Sequence, residues 1–181
     1  MPEDLDNLAF CFFKLFAQYE YALKAMQYAR SGVGGQAEPE WDRFSNEIGL
    51  LVMDEANGEL LDAISYLFDH PPKKQILKDG VLFWQSVETA ERSPQILFSH
   101  IRRVRNNLYH GGKFNGRWFD PDRSEELISK SLLILRALQE KHDDLAEAIH
   151  GNHGEKAGSS KTRLHYERKV QLWELKSSPK K

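Results

Sequence analysis

Arg105, Asn106 and His110 are the residues of this chain whose types and spacing best suit a chemical role. They lie in the stretch Arg102-Arg103-Val104-Arg105-Asn106-Asn107-Leu108-Tyr109-His110-Gly111-Gly112-Lys113. A guanidinium offers fixed positive charge to a phosphate, and an imidazole can give or take a proton near neutral pH. With a carboxamide beside them, this is equipment for a phosphodiester that needs no metal ion. Five residues at about 100° each put Arg105 and His110 roughly 140° apart around a helix. They do not share a stripe. The arginine is long, however, and His110 stands where two glycines stop the helix, so both can converge on a pocket at the helix end. The same residues also make an ordinary helix terminus, because late basic groups suit the helix dipole and glycine is a common C-cap.

The elements that must position these groups are helical. Leu5, Leu8, Phe12, Leu15, Phe16, Tyr19 and Leu23 recur at helical spacing, which predicts a helix from Leu5 to about Arg30. Gly32 to Pro39 reads as a flexible connection. A second helical segment is expected from Pro39 to Ala56, with Trp41, Phe44, Ile48, Leu51 and Val52 as its stripe. Asn57-Gly58 interrupts it, and Glu59 to Asp69 resumes until Pro71-Pro72 forbids continuation. Val81 to Trp84 reads as a short buried run, extended or helical. Ser93-Pro94 opens the helix that ends at His110, and Asp120-Pro121 opens a last long helix to about His150. The expectation is an all-α fold, an antiparallel bundle of four to five helices over residues 1–150. Residues 151–181 are expected to form a flexible basic C-terminal tail, a linker followed by a short segment of undecided structure.

The segment Arg105-Asn106-Asn107-Leu108-Tyr109-His110 resembles the Arg-x4-His signature of the HEPN superfamily (higher eukaryotes and prokaryotes nucleotide-binding), in the form with Asn after the Arg. The trailing Gly111-Gly112-Lys113-Phe114 is similar to a bacterial branch of it. Three further stretches agree in order: Phe16 to Lys24, Trp41-Asp42-Arg43-Phe44, and Pro71-Pro72-Lys73-Lys74-Gln75. The resemblance covers about residues 8–140. It implies a helical bundle that pairs with a second copy, so that a composite site holds two Arg and two His. A metal-free ribonuclease needs a base for the 2′-hydroxyl proton and an acid for the leaving 5′-oxygen, and one signature His cannot fill both roles. The expectation is therefore a homodimeric endoribonuclease that leaves 5′-hydroxyl and 2′,3′-cyclic (or 3′) phosphate ends. His110 would serve as base or acid, Arg105 would stabilise phosphate charge, and Asn106 would orient His110 or the phosphate. A non-catalytic nucleotide- or RNA-binding module, or a dimerisation bundle, is the other reading. The superfamily also implies a toxin or phage-defence role restrained by an antitoxin or regulatory protein. One such partner modifies a Tyr two residues past the signature His, where this chain has Gly112.

Other groups rank behind these. Glu20 is a candidate for orienting Arg105 or His110, and equally reads as a solvated carboxylate. Arg102 and Lys113 are candidates for RNA backbone contacts or plain charged surface, Tyr109 for stacking on a base or packing a dimer, and Arg103 for a surface ion pair. No cofactor and no metal is called for: His142 and Asp143 point different ways on a helix, and His150 lies two turns away.

Composition bounds the classes. The 181 residues allow one domain with a real core. Cys11 is the single cysteine, so no disulfide framework forms within the chain, and its Phe10, Phe12 and Phe13 neighbours predict a buried, inert thiol. The acidic opening Met-Pro-Glu-Asp-Leu-Asp lacks the basic start of a secretory signal, and no apolar run approaches a membrane span. No membrane association and a cytoplasmic location are expected. Eight Lys/Arg against three Asp/Glu lie after His150, leaving seventeen against twenty-four before it. An acidic body argues against a nucleic-acid coat protein and leaves RNA binding to a local basic site.

Overall fold

The computed structural model describes residues 2–88, 91–110, 118 and 120–150. The basic tail and Lys113 lie outside the described residues. Those residues are mostly helical, with two small antiparallel hairpins, so the expected all-α architecture is corrected by four short strands. In chain order the elements are α1 (Pro2–Ala25), β1 (Ala29–Ser31), β2 (Ala37–Pro39), α2 (Trp41–Glu47), α3 (Leu50–Asp54), α4 (Gly58–Asp69), β3 (Lys74–Lys78), β4 (Val81–Gln85), α5 (Pro94–Tyr109), α6 (Pro121–Lys141) and α7 (Asp143–His150).

The expected helices break where local chemistry stops them. α1 ends five residues early, at a left-handed Gln27 (φ 72°), and the Tyr28 N–H closes back onto the Leu23 carbonyl at 2.8 Å. This is the turn geometry that commonly ends helices, with a glutamine where glycine is usual. The glycine-rich connection then becomes the β1–β2 hairpin, with Arg30 opposite Glu38 and their charges 3.2 Å apart. The second helix divides at Gly49 into α2 and α3. The last divides at His142, whose Nδ1 accepts from the Leu145 N–H at 3.2 Å and caps α7. Ser93 and Asp120 cap α5 and α6 as expected, each followed by proline.

α6 packs against α1, α3, α4 and α5, and α2 lies on α5. The core between them is dominated by aromatics. Trp41 stacks on Phe16 with centroids 5.1 Å apart, and Phe44 meets Trp41, Tyr19 and Phe98 edge-on. Several polar groups that enter this core find partners there, whereas the buried Trp41 Nε1 has none among the described residues. The Tyr19 hydroxyl donates to the Leu135 carbonyl at 2.5 Å, and burial pushes its pKa up. Ser45 and Ser131 bond the carbonyls four residues back.

The Val81–Trp84 run is extended and exposed, not buried. It pairs with β3 across Asp79-Gly80, both with positive φ, which is the twist a two-residue hairpin turn requires. Among the described residues α5 lies against β3 only, so Leu77, Leu82 and Phe83 keep 70, 64 and 49 % of their surface exposed. Cys11 likewise corrects the expectation. It is exposed, as are Phe10 and Phe13. The aromatic run winds around α1, and only Phe12 of the three phenylalanines points into the core.

Two consequences can be measured. A methyl at Gly49 would meet the Ser45 carbonyl oxygen at 2.5 Å, Phe98 Cε2 at 2.9 Å and Pro94 Cβ at 3.1 Å. Gly49→Ala is expected to cost about 1–3 kcal/mol in urea unfolding, because the α2–α5 contact must open. His100 is buried, with Nδ1 3.0 Å from the Leu67 carbonyl, an acceptor, so Nδ1 carries the proton. Burial lowers the His100 pKa, helped by Arg103, against the pull of that carbonyl. The unfolded chain then binds the proton more readily, so stability falls as pH drops below about 6.5. His100→Asn, which keeps a donor near Leu67, should flatten that slope in thermal melts between pH 5 and 7.

Candidate functional site

The C-terminal turns of α5 lie beside the middle of α1, and Arg105 is where the two helices meet. Its guanidinium donates to Glu20 Oε1 at 2.7 Å and to its neighbour's Asn106 Oδ1 at 2.9 Å. The same group sits 4.9 Å from the Phe16 ring centroid and 5.8 Å from that of Tyr109. One side chain thus carries an ion pair, an amide contact and two cation–π contacts, and it is only 25 % exposed. A planar fork makes this possible, and a lysine ammonium would not reproduce it.

The predicted residues fall into two groups. Arg105, Asn106, Glu20 and Tyr109 come together at the α1–α5 seam. Of the two roles weighed for Glu20, the contact observed is with Arg105. His110 is the C-cap of α5, at φ −90° and ψ 21°, with its N–H on the Asn106 carbonyl and its side chain exposed. No hydrogen bond or ring contact joins His110 to Arg105 among the described residues. Arg102, one turn before Arg105, reaches α2 instead of α1 and lies 3.4 Å from Oδ1 of the largely exposed Asp42 carboxylate. Asp42 belongs to the Trp41-Asp42-Arg43-Phe44 stretch, whose Trp and Phe are core residues.

Three contacts were not legible in the sequence. Asn107 Nδ2 donates to the Lys73 carbonyl at 2.9 Å, and Arg103 donates to the Pro72 carbonyl at 3.5 Å. The Pro71–Gln75 stretch is therefore fastened onto α5 through backbone carbonyls. Arg103 is partly buried, and burial lowers its pKa, so it is not the surface ion pair expected. The third contact is Trp118 Nε1 donating to Asp6 Oδ1 at 2.8 Å, across 112 residues of sequence. Nothing local marks either residue as a partner.

A cleft of about 450 Å³ opens at this seam, with Phe13, Leu108, Tyr109 and Trp118 around it and Arg105 and Asp6 as its charged groups. Phe13 and Tyr109 lie tilted at 36° with centroids 4.9 Å apart. The outward aromatic face of α1 was the available signal for Phe13. Among the described residues no group of three His, Cys, Asp or Glu side chains could hold a metal ion, and no helix is long and apolar enough to cross a membrane.

No protein-family model matches the chain, and neither does any curated protein or solved structure compared with it.

The Arg105–Glu20 pair is partly shielded, so its coupling should be measurable though small. A double-mutant cycle of Glu20→Gln and Arg105→Gln is expected to give about 0.5–1 kcal/mol in chemical unfolding. A coupling indistinguishable from zero would mean that the Phe16 and Tyr109 rings, not the carboxylate, hold the guanidinium.

Proposed function

We propose that this protein is a metal-independent endoribonuclease of HEPN type, acting as a homodimer. The observation that carries this reading is the grouping of Arg105 and Asn106 at the α1–α5 seam, with an exposed His110 at the adjoining helix end. In the proposed reaction one His110 takes the 2′-hydroxyl proton as that oxygen attacks phosphorus. The His110 of the second copy protonates the departing 5′-oxygen. The products are a 2′,3′-cyclic phosphate and a 5′-hydroxyl. Arg105 offsets the charge that builds on the phosphorane oxygens, and Asn106, bonded to it, fixes its direction. Glu20 holds Arg105 from the opposite side and is a positioning residue.

Two features support the pairing of copies. One chain supplies one signature imidazole, and the reaction needs two proton-transfer groups. In addition, Phe10, Ala17 and Tyr21 share an outward face of α1, with Phe10 64 % and Tyr21 56 % exposed. A second copy seated on this face would cover that apolar surface. The HEPN-like antiparallel bundle, a cytoplasmic location, RNA as substrate, and a toxin or phage-defence role under a regulatory partner belong to this same reading.

One observation favours a second reading. Arg105 is already engaged by Glu20 and Asn106, so a phosphate must share a partly neutralised guanidinium. A non-catalytic module that binds nucleotide or RNA, or that only dimerises, would use Arg105 as a clamp between α1 and α5.

Cleavage of mixed cellular RNA in excess EDTA separates the two. The expected result is cutting by the wild type with 5′-hydroxyl ends, and a loss of about 100-fold or more in Arg105→Ala and His110→Ala. Cleavage abolished by chelation, or equal in all three proteins, would overturn the mechanism. RNA binding without cleavage would establish the module.

A further inference from the structure

We propose that the cleft at the α1–α5 seam holds one unpaired nucleobase of the bound strand, stacked among Phe13, Tyr109 and Trp118, with Asp6 accepting from its amino group. This deepens the nucleic-acid reading of the neighbouring site and rests on it. The volume, about 450 Å³, lies in the range of small-ligand sites. Its walls are largely aromatic, and bases stack on aromatic rings without regard to sequence because every base has a π-face.

Charge decides between occupants. A purely apolar guest, such as an acyl chain, has no use for a carboxylate and a guanidinium on the same cleft. A nucleotide uses both. Arg105 suits the phosphate that must follow the base, and Asp6 suits an exocyclic amino donor. Asp6 is already bonded to Trp118 Nε1 at 2.8 Å, which fixes the indole as part of the wall. A carboxylate offers about four acceptor positions, so one indole bond leaves capacity for a base. The placement also follows chain geometry. Tyr109 immediately precedes His110, so a base stacked on Tyr109 brings its own backbone to the end of α5, where the proposed chemistry occurs. A base held apart from its neighbours cannot stack on them, and this favours single-stranded over duplex RNA.

The test uses the full chain and a pentadeoxynucleotide with one central 2-aminopurine, whose fluorescence is quenched by stacking. It lacks the 2′-hydroxyl, so the proposed cleavage cannot consume it. Saturable quenching is expected with wild type. Phe13→Ala removes one ring, and Ala9→Leu fills the cleft that Ala9 helps to line. Each should weaken binding about ten-fold while circular dichroism stays unchanged, and an abasic competitor should bind about ten-fold more weakly than the base-bearing strand. No quenching, quenching in both variants equal to that of wild type, or equal competition by the abasic strand would overturn the proposal. So would a change from dimer to monomer in Ala9→Leu by sedimentation, which would assign the cleft to a second copy. Wild type that cuts RNA without quenching the probe removes the base pocket alone. Quenching by a wild type that never cuts RNA keeps the pocket and removes the nuclease.

Discussion

The stacking of Trp41 on Phe16 is the contact on which the rest of this molecule depends. Trp41 is the first residue of α2, Phe16 lies in the middle of α1, and Phe98 of α5 closes the group at 6.1 Å from Trp41. Three helices therefore share one aromatic cluster, which sets how close α1 and α5 approach. Aromatic rings bury large apolar areas with few rotatable bonds, so they fix separation and orientation better than aliphatic chains. Phe16 then serves twice. One contact joins it to the core through Trp41, and another supports the Arg105 guanidinium at 4.9 Å. The charged centre of the candidate site is in this sense a continuation of the hydrophobic core.

That arrangement gives the partly exposed Arg105 partners on several sides. A surface ion pair alone contributes little, because water and salt screen it and two long side chains must be held still. Here the ring of Phe16 and the Oδ1 of Asn106 limit the freedom of the guanidinium before Glu20 contributes at all. A pre-oriented cation suits either reading of the site, since both a developing phosphorane and a resting phosphate need positive charge whose position is already set. His110 is different in kind. It caps a helix at the exposed edge of the site, where its ring is open to solvent among the described residues.

Much of the fold was legible because it rests on local chemistry. The apolar period of α1, the Ser93-Pro94 and Asp120-Pro121 starts, and the stops at Asn57-Gly58 and Pro71-Pro72 all follow from neighbouring residues. The errors share a cause as well. The helix expected from Pro39 to Ala56 runs through Gly49, yet there a Cβ would meet Phe98 and Pro94 of α5. The Val81–Trp84 run reads as buried because its residues are apolar, while burial depends on whether another layer covers them. Cys11 fails for the same reason: periodicity gives faces, and only packing decides which face is covered.

The candidate site divides along the same line. Residue types and spacing singled out Arg105, Asn106 and His110, which also suit an ordinary helix terminus, and the resemblance to the HEPN signature is what gave them a chemical role. They also placed Glu20 on α1 without giving it a definite partner. Tertiary structure chose Arg105 as that partner, 85 residues away, and brought Trp118 to Asp6 across 112. It likewise turned Asn107 and Arg103 to the carbonyls beneath the hairpin. Contacts over such separations depend on how helices pack and on which side chains the core leaves at their seams. Short-range sequence pattern carries the helices themselves, whose bonds close within four residues.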